Sequence, residues 1–159
     1  MKALLVLVAL LLAAVAAATA GGSATAERAP CPVTLPNRSG SPASAFSHGT
    51  RRLRVGMYWR GTVAAGLRPD GSVMATIEED GAVSMKVGWW RGVPGRLRIT
   101  GRRLDGQAPP LRVVVPEGYG SLGFQVTGLV FPTVGCWRVG GRVRDARLSF
   151  VVRITKLPQ

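Results

Sequence analysis

Between residues 53 and 156 the apolar side chains do not recur every third or fourth position; they alternate with polar ones in short runs. Leu148, Phe150, Val152 and Ile154 fall on one side of an extended chain, with Arg147, Ser149, Val151 and Arg153 on the other. Leu97 and Ile99 alternate in the same way with Arg96 and Arg98. A period of two marks a strand with one dry face and one wet face. The runs predict strands at Leu53 to Trp59, Thr62 to Gly66, Ser72 to Ile77, Val83 to Trp89, Arg96 to Thr100, Leu111 to Val115, Phe124 to Val130, Cys136 to Val143 and Leu148 to Lys156. Pro69-Asp70-Gly71, Asp80-Gly81, Pro94-Gly95, Asp105-Gly106 and Glu117-Gly118 separate them, because proline presets φ and glycine accepts positive φ. No segment carries helical spacing over a helix's length, so almost no helix is expected outside the first twenty residues.

Strands with one dry face must pack those faces together, and some nine short strands over 47–157 fit two stacked sheets. The expectation is an all-β, immunoglobulin-like antiparallel β-sandwich, with a small β-barrel as the alternative. The last thirty residues read as a hairpin, turning near Arg144-Asp145-Ala146. Trp137 and Val139 share one parity and should enter the core, which places Cys136 and Arg138 on the opposite face.

The chain opens with Lys2 and an unbroken apolar run from Ala3 to Val15, the composition of an export signal over 1–20. Ala18-Thr19-Ala20 and Ala24-Thr25-Ala26 suit a signal peptidase, giving cleavage near Ala20 or Ala26 and a secreted or cell-envelope protein. An uncleaved anchor competes, since Ala3 to Ala20 approaches the ~18 residues that cross a bilayer. The mature chain holds no span. Residues 21–46, rich in Ala, Pro, Ser and Gly, read as a flexible leader before the domain at 47–157. In an oxidising compartment the only two cysteines, Cys31 and Cys136, should form a bridge, tying the leader to the penultimate strand. Closing so long a loop stabilises a fold by about 4 kcal/mol in the chain-entropy picture.

Charge adds a candidate partner. The formal net charge is +13, or +12 once Lys2 leaves with the signal, and all but three of the basic residues are arginine. Such an excess attracts anionic polymers, lipid headgroups or acidic glycans. GC-rich codons favour Arg, Ala, Gly, Val and Pro, so genome composition is a competing source of the bias. Arg138, Arg147 and Arg153 should share the outer face of the closing hairpin, with Arg142 and Arg144 near its turn; this is the candidate polyanion-binding set. In the pair Trp89-Trp90 one indole should be buried and the other exposed, where it could stack on a sugar or an arginine.

Catalytic chemistry finds little support. His48 is the only imidazole, neither a nucleophile elbow nor a phosphate loop occurs, and Glu78, Glu79 and Asp80 precede a glycine as a charged turn would. Neither a metal site nor a cofactor is expected, because two sulfurs and one imidazole fall short of a structural zinc set.

The run Phe131-Pro132-Thr133-Val134-Gly135-Cys136-Trp137-Arg138-Val139, with Cys31-Pro32-Val33-Thr34-Leu35-Pro36-Asn37 and Trp89-Trp90-Arg91-Gly92, resembles uncharacterised secreted proteins of high-GC bacteria. More distantly, the closing hairpin is similar to bacterial periplasmic immunoglobulin-like modules. The resemblance implies a fold and an extracytoplasmic address, and attaches no activity. The expectation is a non-enzymatic binding or structural module whose partner is an envelope protein or an anionic surface polymer; a hydrolytic enzyme is the third reading.

Overall fold

A strand forms within each expected run, although Ser72 to Ile77 contributes only its last two residues and Leu53 to Trp59 its first four, and one further strand precedes them. A computed structural model describes residues 30–38 and 45–158; the expected export signal and its cleavage sites lie outside the described residues. The strands are β1 (Ser47–Thr50), β2 (Leu53–Gly56), β3 (Thr62–Ala65), β4 (Thr76–Ile77), β5 (Val83–Arg91), β6 (Arg98–Arg103), β7 (Arg112–Val114), β8 (Gly123–Phe131), β9 (Gly135–Val143) and β10 (Ala146–Lys156). Among the described residues there is no helix.

Two sheets pack face to face and do not close into a barrel. One runs β1-β2-β5-β8-β7, with β4 also on β5; the other runs β3-β10-β9-β6. Setting β2, β5, β6, β7, β8, β9 and β10 as the seven strands of an immunoglobulin domain gives sheets ABED and CFG in that domain's order. One pairing departs from the antiparallel expectation: β3 runs parallel to β10, with Thr62 opposite Arg153 and Ala65 opposite Lys156. Parallel neighbours need a long connection, and almost the whole domain lies between these two.

The alternation sets the core. β5 turns Val83, Met85, Val87, Trp89 and Arg91 inward, and β8 meets it over nine residues from Val83 opposite Phe131 to Arg91 opposite Gly123. From the facing sheet come Trp137, Val139, Phe150, Val152 and Ile154. Rings bridge the layers: Trp89 lies 6.1 Å from Phe150, and Phe131 meets Trp137 edge-on at 5.6 Å. Two of the three buried indoles find acceptors, Trp89 Nε1 donating to Thr127 Oγ1 at 3.1 Å and Trp137 Nε1 to the Thr133 carbonyl at 3.0 Å, whereas the buried Trp59 Nε1 has none. Buried aromatic area of this kind dominates a small domain's stability.

The bridge between Cys31 and Cys136 is present, with the two Cα atoms 5.5 Å apart across 105 residues of sequence. The leader, expected to be fixed by Cys31 alone, is held at further points. The Thr34 N–H donates to the Val151 carbonyl and the Val151 N–H to Thr34 Oγ1, each at 2.9 Å. Asn37 clasps the backbone of Gly49, donating to its carbonyl and accepting from its N–H. This explains two buried residues on an outer face: Cys136 and Val151 lie beneath the leader strap. It also explains β1, whose Ser-His-Gly-Thr sequence has no apolar alternation and which is fixed by pairing with β2.

Candidate functional site

The outer face of the four-stranded sheet gathers arginines from three adjacent strands. Arg142 on β9 stands opposite Arg98 of β6 on one side and Arg147 of β10 on the other. Four residues back along β9, Arg138 stands opposite Arg102. Side chains opposite one another on a face begin about 5 Å apart, so these arginines leave the sheet as neighbours. Between the two rows lie Thr100, Gly140 and Ser149, aligned by the same register. Their small size leaves a groove of about 510 Å³ walled by Arg98, Arg142 and Arg147.

Among the described residues, no carboxylate forms an ion pair on this face. The ion pairs among the described residues are Arg52–Asp145, Arg103–Asp105 and Arg112–Asp80. None of Arg98, Arg102, Arg138, Arg142 or Arg147 is among them, and like charges placed directly across a sheet repel. The face therefore presents five unneutralised cations around a shallow polar floor.

Of the arginines expected in this cluster, Arg138, Arg142 and Arg147 are brought together. Arg153 stands further along β10 opposite Cys136, with the strap's anchor at Val151 between it and the groove. Arg144 occupies the two-residue turn between β9 and β10 with a positive φ of 53°. Sequence reasoning missed Arg98 and Arg102. The alternation at Arg98 was legible, but the strand runs on past Thr100 to Arg103, and the pairing of β6 with β9 joins distant stretches of chain.

The tryptophan pair divides as its parity requires: Trp89 is 0 % exposed and Trp90 44 %. On the outer face of the six-stranded sheet, Arg54 stacks over the Trp90 ring at 5.4 Å, so the partner the exposed indole finds is an arginine. Trp90, Phe124 and Tyr58 wall a groove of about 430 Å³ floored by Gly56 and Gly88. The acidic turn is also confirmed as a turn: the Gly81 N–H donates to the Glu78 carbonyl and Asp80 accepts from the Ala82 N–H. His48, expected to be solvated or locally bonded, lies on β1 with Nδ1 buried and lacking a hydrogen-bond partner.

No family model matches the chain, and neither does any curated protein or solved structure.

Proposed function

We propose that the protein is a non-enzymatic binding module of the extracytoplasmic space that holds a linear polyanion on the outer face of its four-stranded sheet. The observation that carries this reading is the row Arg98–Arg142–Arg147, three arginines side by side across three strands, none of them in an ion pair among the described residues. Neighbouring strands lie about 4.8 Å apart, so the row spans about 10 Å. Four residues of β9 set the second row about 13 Å away. An extended polymer carrying a phosphate, sulfate or carboxylate every few ångströms meets several guanidinium forks at once, each able to take two anion oxygens. The Cys31–Cys136 bridge supports the address, because disulfides persist in oxidising compartments. Export by the 1–20 signal belongs to the same proposal.

Retention of the protein on heparin, followed as a function of salt, tests the reading. Replacing Arg98, Arg142 and Arg147 together by Gln should lower the slope of log K against log salt by roughly 2 to 3, since each neutralised contact contributes about 0.7 to 0.9. An unchanged slope refutes it. A second reading, a glycan binder, draws on the groove walled by Trp90, Phe124 and Tyr58; quenching of tryptophan emission by neutral oligosaccharides, absent from Trp90→Ala, tests that one.

A further inference from the structure

The inward face of the six-stranded sheet does not stay apolar to its end. Along β5 and β8 toward the loops 92–97 and 115–122, the buried positions change from Val87 and Leu129 to Thr127, Gln125 and Arg91. Thr127 is satisfied, accepting from the Trp89 indole and reaching the Val87 carbonyl at 3.4 Å. The other two are not.

Arg91 is 3 % exposed, and no carboxylate of the described residues pairs with it. Its terminal nitrogens donate to the carbonyls of Gly95, at 3.1 Å, and Gly120; its Nε is buried and has no partner. A guanidinium carries five donors and keeps its charge at any ordinary pH. Two carbonyls satisfy part of that fork and neutralise none of the charge, and a buried cation without a counter-ion is expensive to hold. Gln125, 4 % exposed, donates Nε2 to the Pro116 carbonyl at 3.2 Å. A carbonyl only accepts, which fixes the orientation of the amide and leaves the buried Oε1 without a donor. The two residues are diagonal neighbours, since Arg91 lies opposite Gly123 and Trp89 opposite Gln125. Both residues line a cavity of about 410 Å³ at the end of the sandwich, with Leu97, Tyr119 and Ser121 among its other walls, and Nε and Oε1 lie covered just behind that wall, within reach of a ligand after a side-chain shift.

One ligand must bring an anion to the fork and a donor to Oε1. Chloride and sulfate supply only the first, and hydrogen phosphate, whose O–H is a donor, is the competitor that the test below includes. The terminal residue of a peptide supplies both, because its carboxylate can take two N–H groups of a guanidinium while the amide N–H of the same residue sits one carbon away. The volume lies within the range of small-ligand sites. Glu117, the one carboxylate lining the cavity, is exposed and makes no ion pair.

We propose that this cavity captures the free C-terminal carboxylate of a peptide, with Arg91 holding the carboxylate and Gln125 Oε1 accepting the terminal amide N–H. The site lies inside the other sheet from the arginine groove and does not depend on polyanion binding.

The test is a titration of the mature protein with N-acetyl-trialanine, its C-terminal amide, propionate and inorganic phosphate, followed by NMR at the Arg91 Nε–H and the Gln125 side-chain amide. The peptide acid should shift both signals saturably. Its amide should bind at least tenfold more weakly, and propionate, which lacks the N–H, should fall between them. Gln125→Met, which keeps the volume and removes the acceptor, should bring the peptide acid down to the affinity of propionate. Arg91→Lys should weaken both acids; where loss of the loop contacts prevents folding, Gln125→Met decides alone. Equal binding of acid and amide, phosphate binding as tightly as the peptide acid, or acid binding that emerges only in Glu117→Gln would each overturn the proposal.

Discussion

The benzene ring of Trp89 lies against the backbone of Gly141 in the facing sheet, so closely that a Cβ at 141 would sit 2.5 Å from the ring carbon Cζ3. The indole therefore requires a residue with no side chain beneath it. Gly140, its neighbour, faces the opposite way, into the arginine groove, where a Cβ would meet nothing nearer than Thr100 Oγ1 at 3.6 Å. Adjacent alanine substitutions should thus behave differently. Gly141→Ala forces an overpacked core and should cost about 1 to 3 kcal/mol, or more if the ring cannot shift. Gly140→Ala should leave stability within about 0.5 kcal/mol. Urea unfolding of the two variants checks the contrast, and equal losses would contradict the packing.

Arg142 offers a variant whose effects on folding and binding should oppose each other. Arg142→Glu places a carboxylate opposite Arg98 and Arg147, exchanging two repulsions for two attractions. It should raise stability by roughly 0.5 to 1 kcal/mol while weakening heparin retention. Loss of both together would mark a damaged fold, whereas the opposed pair would show that the charge cluster is maintained at the expense of stability. Thermal unfolding at low salt, beside the retention assay, reads both.

The strap predicts a large reductive effect. Cys31→Ser with Cys136→Ser releases a loop of 105 residues, for which chain entropy gives about 4 to 5 kcal/mol. The Thr34–Val151 and Asn37–Gly49 contacts then have no covalent support. Denaturant midpoints with and without reductant should agree for the double variant and differ widely for the parent protein.

A pH dependence follows from Asp105. Burial raises its carboxyl pKa, but the hydrogen bond from Arg103 Nε at 2.7 Å, the Cys136 backbone N–H and the Arg103 charge outweigh burial and hold it below the ordinary value. A carboxyl held low in the folded state contributes its full stability above the unfolded value of about 3.9. That contribution is lost as pH falls through the lower folded value. Asp105→Asn should cost about 1.5 to 3 kcal/mol near neutrality and flatten the acid limb of a stability profile below about pH 4. Identical acid limbs for variant and parent would contradict the assignment.

Several of these residues were legible in the sequence and others were not, for reasons of range. Trp137 inside, Arg138 outside, and the split of Trp89 from Trp90 follow from parity alone, because neighbouring side chains on a strand must point apart. The disulfide was legible because the chain reads as exported and its two thiols have one pairing to make. Register between distant strands was not. Nothing local to Arg98 says that it will stand across from Arg142, more than forty positions away, and the candidate face was therefore drawn too narrowly around the closing hairpin. Parity likewise implied that Val151 faces water; only the strap, which belongs to a Pro- and Ser-rich leader that reads as linker, reveals why it does not. Arg91 was hidden for a related reason: it ends a strand at an inward position, where a charged residue breaks the pattern instead of following it.

The strand β6 has a further role as the outermost strand of its sheet. An open strand edge offers unpaired amides to any passing copy, and natural sheets defend such edges with charge. Here the side chains of Arg98 and Arg102, neither of them in an ion pair among the described residues, stand on that border. Molecules that meet side by side therefore repel before their backbones can join, a protection that salt should weaken and that light scattering of concentrated solutions would register.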